Sequence, residues 1–297
     1  MNFATPRITV ALPVFNAGAT IKPAMRSILG QTFTDFELLV LDDGSCDQTA
    51  SFVRAFDDPR IRLLSDDCNR GLSTRLNEAI QLARGEFFAR MDGDDIAYPR
   101  RFERQLAFLR ENPEIDLVGT RAIAFRNGGL SMGLFPWRAT HVQICAKPWM
   151  GFYLPHPTWM GRIGWFRSHL YRVPDPARSE DQELLLRSYS QSRFACLPDV
   201  LLGYRQAPFN LPRSLSARLG VAGSQWRVHA AQRRYGLAVM GTATAVGKGF
   251  VDCFRVVPGL ERLFSQPFGE PVPATEQTVW DALASSYGLS ARSGEGQ

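Results

Sequence analysis

Three carboxylates crowd into four residues at Asp92-Gly93-Asp94-Asp95. Like charges this close repel one another unless a cation neutralises them. Mg²⁺ and Mn²⁺ are hard ions that take one or two carboxylates and complete their shells with substrate phosphates. A metal held by Asp94 and Asp92 would bridge a diphosphate and absorb charge as a nucleoside diphosphate leaves. The plainer alternative is a solvated acidic turn before the helix entrance at Pro99-Arg100.

A second acidic pair stands in Asp42-Asp43-Gly44-Ser45. An aspartate there could accept from the imide N–H of a uracil or thymine ring, or from ribose hydroxyls. Gly44 would let the backbone come close, and Ser45 or Asp47 could cap the next helix. Asn69-Arg70-Gly71 adds a cation on a flexible backbone, with Arg70 suited to a base or a phosphate. Arg75 is expected simply to face water. Glu180-Asp181 opens a helix, where the dipole favours anions. The pair is also the candidate base for a transfer onto a hydroxyl, which needs a carboxylate to take the departing proton. His156, between Pro155 and Pro157, reads first as a packed structural residue and second as a metal or acceptor ligand.

The elements around these residues alternate in a way that predicts βα units on a parallel sheet. Ile8 to Val14 reads as a buried strand, and Ile21, Met25, Ile28 and Leu29 share one helical face. Further strands are predicted at Glu37 to Leu41, Ile61 to Ser65 and Glu86 to Met91, with Asp116 to Phe125 extended. Helices are predicted at Thr49 to Phe56, Ser73 to Ala83 and Arg100 to Glu111. Phe15-Asn16, Asp42 to Ser45 and Asp92 to Asp95 each follow a strand directly. In an open α/β sheet the ligand crevice lies outside the carboxyl ends of the strands, so three polar clusters converge on one crevice. Residues 126–168 are less regular, and Glu180 to Ser190 is helical. Ser214 to Tyr235 forms a basic helical stretch. Leu237 to Val257 is apolar but interrupted by Lys248, Asp252 and Arg255.

Composition narrows the classes. With 45% hydrophobic and 21% charged residues the 297-residue chain is not disordered. Its net charge of +5 suits an anionic substrate or an anionic membrane surface. No run of basic residues interleaved with aromatics points to nucleic acid. Five scattered cysteines form no C-x-x-C pair, so a reducing cytosol is expected. Neither a signal peptide nor an uninterrupted apolar span of about 18 residues is predicted.

In the order and spacing of these motifs the chain resembles the family 2 glycosyltransferases. The matching segments are Val10 to Asn16, Ser27 to Phe33, Glu37 to Ser45 with Asp47 and Thr49, Asn69 to Leu72, Ala83 to Phe87 and Met91 to Asp95. His156 to Thr158, Glu180-Asp181 with Leu184 to Arg187, and Leu197 to Arg205 extend the likeness over residues 7–206. The resemblance implies an α/β GT-A fold: a Rossmann-like, mostly parallel sheet with helices on both faces, plus a C-terminal helical extension. It implies a UDP- or dTDP-sugar donor and an inverting displacement. Pro13, Phe15, Asn16, Asp42 and Asp43 would line the nucleoside pocket, with Asn69, Arg70 and Gly71 beside it. Asp92 would face the ribose, Asp94 would bind Mn²⁺ or Mg²⁺, and Asp181 would be the base with Glu180 as its neighbour.

On this basis residues 1–206 form the catalytic domain, with 7–125 as the donor half and 126–206 as the acceptor half. Residues 207–265 form the helical extension, and 266–297 a flexible tail. The acceptor would be a saccharide, free or lipid-linked, in bacterial polysaccharide, O-antigen or lipopolysaccharide assembly. The setting would be cytoplasmic, with the basic segment from Ser214 to Arg262 lying on anionic lipid at the inner face of the membrane. The competing use of that segment is packing on the catalytic domain or a homodimer contact. The turn after the first strand lacks the G-x-G-x-x-G of a dinucleotide-binding oxidoreductase, and Gly241 to Gly249 misses the P-loop spacing. A nucleotidyltransferase and an inactive scaffold of the same fold are the remaining rivals.

Overall fold

The computed structural model describes residues 5–174, 178–257 and 268–289. Its strands bury both faces, so their sequences read as continuous apolar runs rather than as alternation. The first half comprises β1 (Ile8–Val14), α1 (Ile21–Leu29), β2 (Phe36–Asp42), α2 (Thr49–Arg54), β3 (Ile61–Ser65), α3 (Leu72–Leu82) and β4 (Phe87–Arg90). Next come β5 (Ile96–Ala97), α4 (Arg101–Glu111), β6 (Leu117–Phe125), β7 (Ser131–Leu134), α5 (His141–Ile144), β8 (Met160–Arg162) and α6 (Ile163–Ser168). They are followed by α7 (Glu180–Ser188), β9 (Phe194–Arg205), α8 (Leu211–Ala231), α9 (Tyr235–Phe254) and α10 (Ala274–Ser286). The predicted elements therefore recur with ends shifted by a few residues.

All these strands join one nine-stranded sheet in the order β3-β2-β1-β4-β8-β6-β9-β5, with β7 paired to β6. β3, β2, β1 and β4 are parallel, as are β6 and β9, while β8, β7 and β5 run against their neighbours. The mostly parallel α/β expectation holds. The period of two sends Val10 and Leu12 to one face, with α1, α4 and α10, and Ala11 to the other, with α3, α6 and α7. β1 and β2 run in register from Ile8 and Phe36 to Val14 and Asp42, so the loops beyond them leave the sheet side by side.

One expectation needs correction. The tail from 266 onward was expected to fray, yet α10 docks on the sheet with Trp280 fully buried. Its ring lies over Gly203, where a Cβ would stand 2.3 Å from the indole, and its Nε1–H donates to the Gly129 carbonyl at 2.7 Å. Tyr98 Oη–H adds a bond to Glu276 at 2.8 Å. One large aromatic in a fitted seat outweighs the polar composition around it. Residues 266–267 and 290–297 of that prediction, and Arg262 of the basic segment, lie outside the described residues.

α9 keeps the predicted interruptions at Lys248 and Asp252, and by length and composition it is the one helix among the described residues apolar enough to cross a membrane. α8 and α9 pack against each other. They leave Leu219, Trp226, Val239, Val246 and Phe250 exposed.

Trp280→Ala should cost about 3–5 kcal/mol, read as a lower urea midpoint. A change below about 1 kcal/mol would return this segment to the status of a loose tail.

Candidate active site

The crevice begins with loops that brace one another. Asn16 sits at φ 51°, a conformation asparagine tolerates. Its N–H donates to Ser45 Oγ at 2.9 Å, and its Oδ1 accepts from the Cys46 N–H at 2.9 Å. Gly18 N–H donates to Asp47 and Ala17 N–H to Thr49, so the β1–α1 and β2–α2 loops form one wall. Ser45 is thus a brace between loops. Pro13 is buried within β1, whereas Phe15 is half exposed at its carboxyl end.

Asp42 and Asp43 are both buried, but they do different work. Asp42 accepts from the Ser45 N–H at 3.1 Å and from Ser65 Oγ at 3.3 Å. Asp43 accepts from the N–H groups of Arg70 at 2.8 Å and Gly71 at 2.9 Å, and from Arg75 Nε at 2.7 Å. Asp43 therefore holds the Asn69-Arg70-Gly71 loop in place and shapes the pocket through it. Gly44 and Gly71 adopt φ 78° and 88°, and a Cβ on Gly44 would stand 2.8 Å from the Cys68 carbonyl carbon. Asn69 and Arg70 remain exposed on that loop.

Arg75 does not face water. It is 2% exposed and pairs with Asp43, Asp66 and Glu78. The helical pattern placed it by periodicity alone, whereas the Asp43 carboxylate is brought over the start of α3 by the sheet.

The acidic loop follows β4. One oxygen from each of Asp92, Asp94 and Asp95 lies within 4.8 Å of the others, the single such cluster among the described residues. The buried guanidinium of Arg90 grips both oxygens of Asp92. Burial alone would pull the Arg90 pKa down; the Asp92 charge reverses that and holds it up. Asp95 accepts from the Arg205 N–H at 2.8 Å through Oδ1, while its buried Oδ2 has no hydrogen-bond partner. Arg205 Nε also donates to the Asp94 carbonyl at 2.9 Å. Burial, then the Asp92 charge, pushes Asp94 up to about 6, and burial with Asp94 raises Asp95 well above the usual range. Gly93 approaches Val14, and its carbonyl accepts from Thr20 Oγ1 at 2.9 Å, tying this loop to the first wall.

An orphaned buried oxygen within three converging carboxylates fits a divalent cation by its donor set. These acids and the cations Arg178, Arg205 and Arg213 line one cleft of about 470 Å³. Tyr204 is also part of its wall, and it reappears in a second pocket of about 460 Å³ with Asp181 and His156. Burial, then Glu180, raises the Asp181 carboxyl, which accepts from Gln182 at 3.1 Å. His156 is buried and depressed to about 3 by burial, then by the Arg90 charge. Its Nε2 shares a 2.7 Å hydrogen bond with Tyr171 Oη, and its Nδ1 lies 3.5 Å from Glu180. It stands outside the acidic cluster as a neutral ring that orders Tyr171 and Glu180. Sequence reasoning missed Arg90, Arg205 and Tyr204 as parts of the site. The one available signal was a charged residue ending the apolar run Phe87-Phe88-Ala89-Arg90.

An acidic loop with a donor set for a divalent cation shares its cleft with guanidinium groups, and a carboxylate pair lies in the adjoining pocket. The pattern of glycosyl transferase family 2 matches residues 9–169, and the chain belongs to that family. EpsE of Bacillus subtilis, named a glycosyltransferase, is 32% identical over 63% of this chain and 68% of its own. The UDP-Glc:alpha-D-GlcNAc-diphosphoundecaprenol beta-1,3-glucosyltransferase WfgD of Escherichia coli is 33% identical over 46% of this chain and 54% of its own. The matches thus span between about half and two thirds of those relatives' lengths. The fold is that of S. aureus TarS 1–349, at TM-score 0.62 and 19% identity over 86% of this chain and 77% of that one. It is also that of glucosyl-3-phosphoglycerate synthase from Mycobacterium tuberculosis, solved with Mn²⁺ and UDP, at TM-score 0.55 and 21% identity over 75% of this chain and 80% of that one.

Arg75→Met leaves the buried Asp43 charge without its guanidinium, so stability should fall by about 3–5 kcal/mol. Asp43→Asn in the same chain should recover part of that loss in a double-mutant cycle. Additive losses would show that the pair does not hold the loop.

Proposed function

We propose that this chain transfers a sugar from a nucleoside-diphosphate donor to an acceptor hydroxyl with inversion at the anomeric carbon. The observation that carries this reading is the shared Tyr204 wall, which sets the acidic, cation-lined cleft directly beside the Asp181 pocket. The donor, a UDP- or dTDP-sugar, would lie with its nucleoside against the braced loops carrying Phe15, Asn16, Asp42 and Arg70. Asp94, with Asp92 and Asp95, would hold the cation, Mn²⁺ or Mg²⁺, which supplies positive charge to the departing diphosphate. Arg205 and Arg213 add fixed cations to that cleft.

Asp181 would accept the acceptor's hydroxyl proton as the new C–O bond forms and the bond to the diphosphate oxygen breaks. Its raised pKa makes it a stronger base than an exposed aspartate, and Glu180 contributes to that rise. The leaving group is the nucleoside diphosphate. The acceptor is a saccharide, free or lipid-linked, of cell-surface polysaccharide assembly, a setting supported by the relatives' names. A cytoplasmic chain resting on the inner face of the membrane fits this role.

Asp94→Asn should abolish the Mn²⁺-dependent thermal stabilisation by UDP. UDP bound equally in EDTA and in Mn²⁺ would remove the metal from the scheme. Asp181→Asn should lower turnover about 10²-fold or more while UDP affinity stays within a factor of two. Near-normal turnover in that variant, with Glu180→Gln inactive, would reverse the two assignments.

A further inference from the structure

Beyond the Asp181 pocket the cavities continue, and their chemistry changes in steps. The pocket itself has His156, Asp181 and the aromatic walls Phe152, Tyr153 and Tyr204, with no lysine or arginine among its described lining. Phe152, Tyr153 and Gln182 also border a smaller cavity of about 180 Å³, where Arg218 and Lys248 enter from α8 and α9. Arg218 and Ala245 in turn border a groove of about 310 Å³ between those helices, lined otherwise by apolar side chains such as Leu219, Val246 and Phe250. Those three are 71%, 47% and 63% exposed.

The cationic step is anchored to the catalytic side. Lys248 Nζ donates to the Met150 carbonyl at 2.9 Å, and Gln225 Nε2 to the Pro148 carbonyl at 2.8 Å. Arg218 Nε donates to Asp252 at 3.0 Å, and Arg255 lies 3.9 Å from the same carboxylate. One acid thus faces Arg218, Lys248 and Arg255, and the patch stays positive.

We propose that α8 and α9 seat the acceptor as an isoprenoid lipid carrying its saccharide through a diphosphate. The saccharide occupies the aromatic pocket beside Asp181, the diphosphate meets Arg218 and Lys248, and the isoprenoid chain fills the apolar groove. Adjacency selects this occupant, because each cavity shares wall residues with the next. The order of chemistry matches it too: aromatic with a carboxylate and free of cations, then cationic, then apolar. A bare membrane surface would need no cationic cavity bordering the Asp181 pocket. The inference rests on the sugar-transfer reading for the identity of the first pocket.

The test uses the full chain in EDTA, so that no metal draws diphosphate into the acidic cleft. Farnesyl diphosphate should bind at least about 10-fold tighter than farnesol or inorganic pyrophosphate. Arg218→Gln with Lys248→Gln should weaken farnesyl diphosphate by about 10-fold and leave farnesol unchanged. Gly249→Leu should weaken both farnesyl compounds and spare pyrophosphate. A Cβ at Gly249 meets Leu215, another residue of the groove, at an ordinary 3.5 Å, so a side chain there starts from the groove wall. Stabilisation of each variant by UDP with Mn²⁺ should match the parent, which separates loss of the seat from loss of the fold.

Equal binding of pyrophosphate and farnesyl diphosphate would overturn the proposal, as would indifference to Gly249→Leu. So would a dimer that Gly249→Leu dissociates, or salt-sensitive binding to anionic vesicles that farnesyl diphosphate does not compete. Binding of farnesyl diphosphate as expected, with no UDP response in the parent chain, would instead overturn the donor reading and leave the lipid seat standing.

Discussion

The Arg90 guanidinium beneath the acidic loop is the constraint on which the site depends. Asp92, Asp94 and Asp95 converge on one point, and burial makes their mutual repulsion expensive. Arg90, itself buried, neutralises Asp92 from the sheet side, while Arg205 fixes Asp94 and Asp95 from β9. Both arginines come from strand ends, so the sheet sets the loop's position. What remains on the crevice side is a partly compensated group of oxygens, one without any partner, suited to a further cation. Without the two arginines the same four residues would open toward water.

The same logic recurs two strands away, at the end of β2. Asp43 accepts from two backbone N–H groups and one guanidinium, and thereby fixes a loop on which Asn69 and Arg70 stay exposed, with Arg70 paired to Asp66 at 3.2 Å. In both places a buried ion pair does its work by positioning backbone. Breaking such a pair is costly even where its net contribution to stability is small. The neutral His156 does the equivalent in the Asp181 pocket, linking Tyr171 to the carboxylate pair at the start of α7.

The C-terminal third couples these parts. β9 supplies Tyr204 and Arg205 to the cleft, and α8 begins six residues after β9 ends, capped by Asn210, with Arg213 in the same cleft. The helix then runs on to the cavity beside the Asp181 pocket, where α9 joins it. The acidic cleft and that cavity are thus connected through one continuous stretch of chain. The docking of α10 over Gly203 braces β9 from the opposite face.

The first half of the sheet, and the gathering of the β1–α1, β2–α2 and acidic loops at the strands' carboxyl ends, could be read from sequence because each rests on local rules. Buried parallel strands give unbroken apolar runs, and ligand loops follow strand ends. The fate of Arg75, Arg90, Arg205 and Trp280 could not be read that way. Each is decided by a partner at least 15 residues distant or by a seat formed from another element, as with Asp43 for Arg75 and Gly203 for Trp280. Arg90 lies two residues from Asp92, yet its burial comes from the strands around it. Periodicity assigns a residue to a face of its own helix or strand. Only tertiary structure decides whether that face meets water, a carboxylate or a glycine. The adjacency of the two pockets at Tyr204, and the run of cavities along α8 and α9, are likewise properties of the assembled sheet and helices.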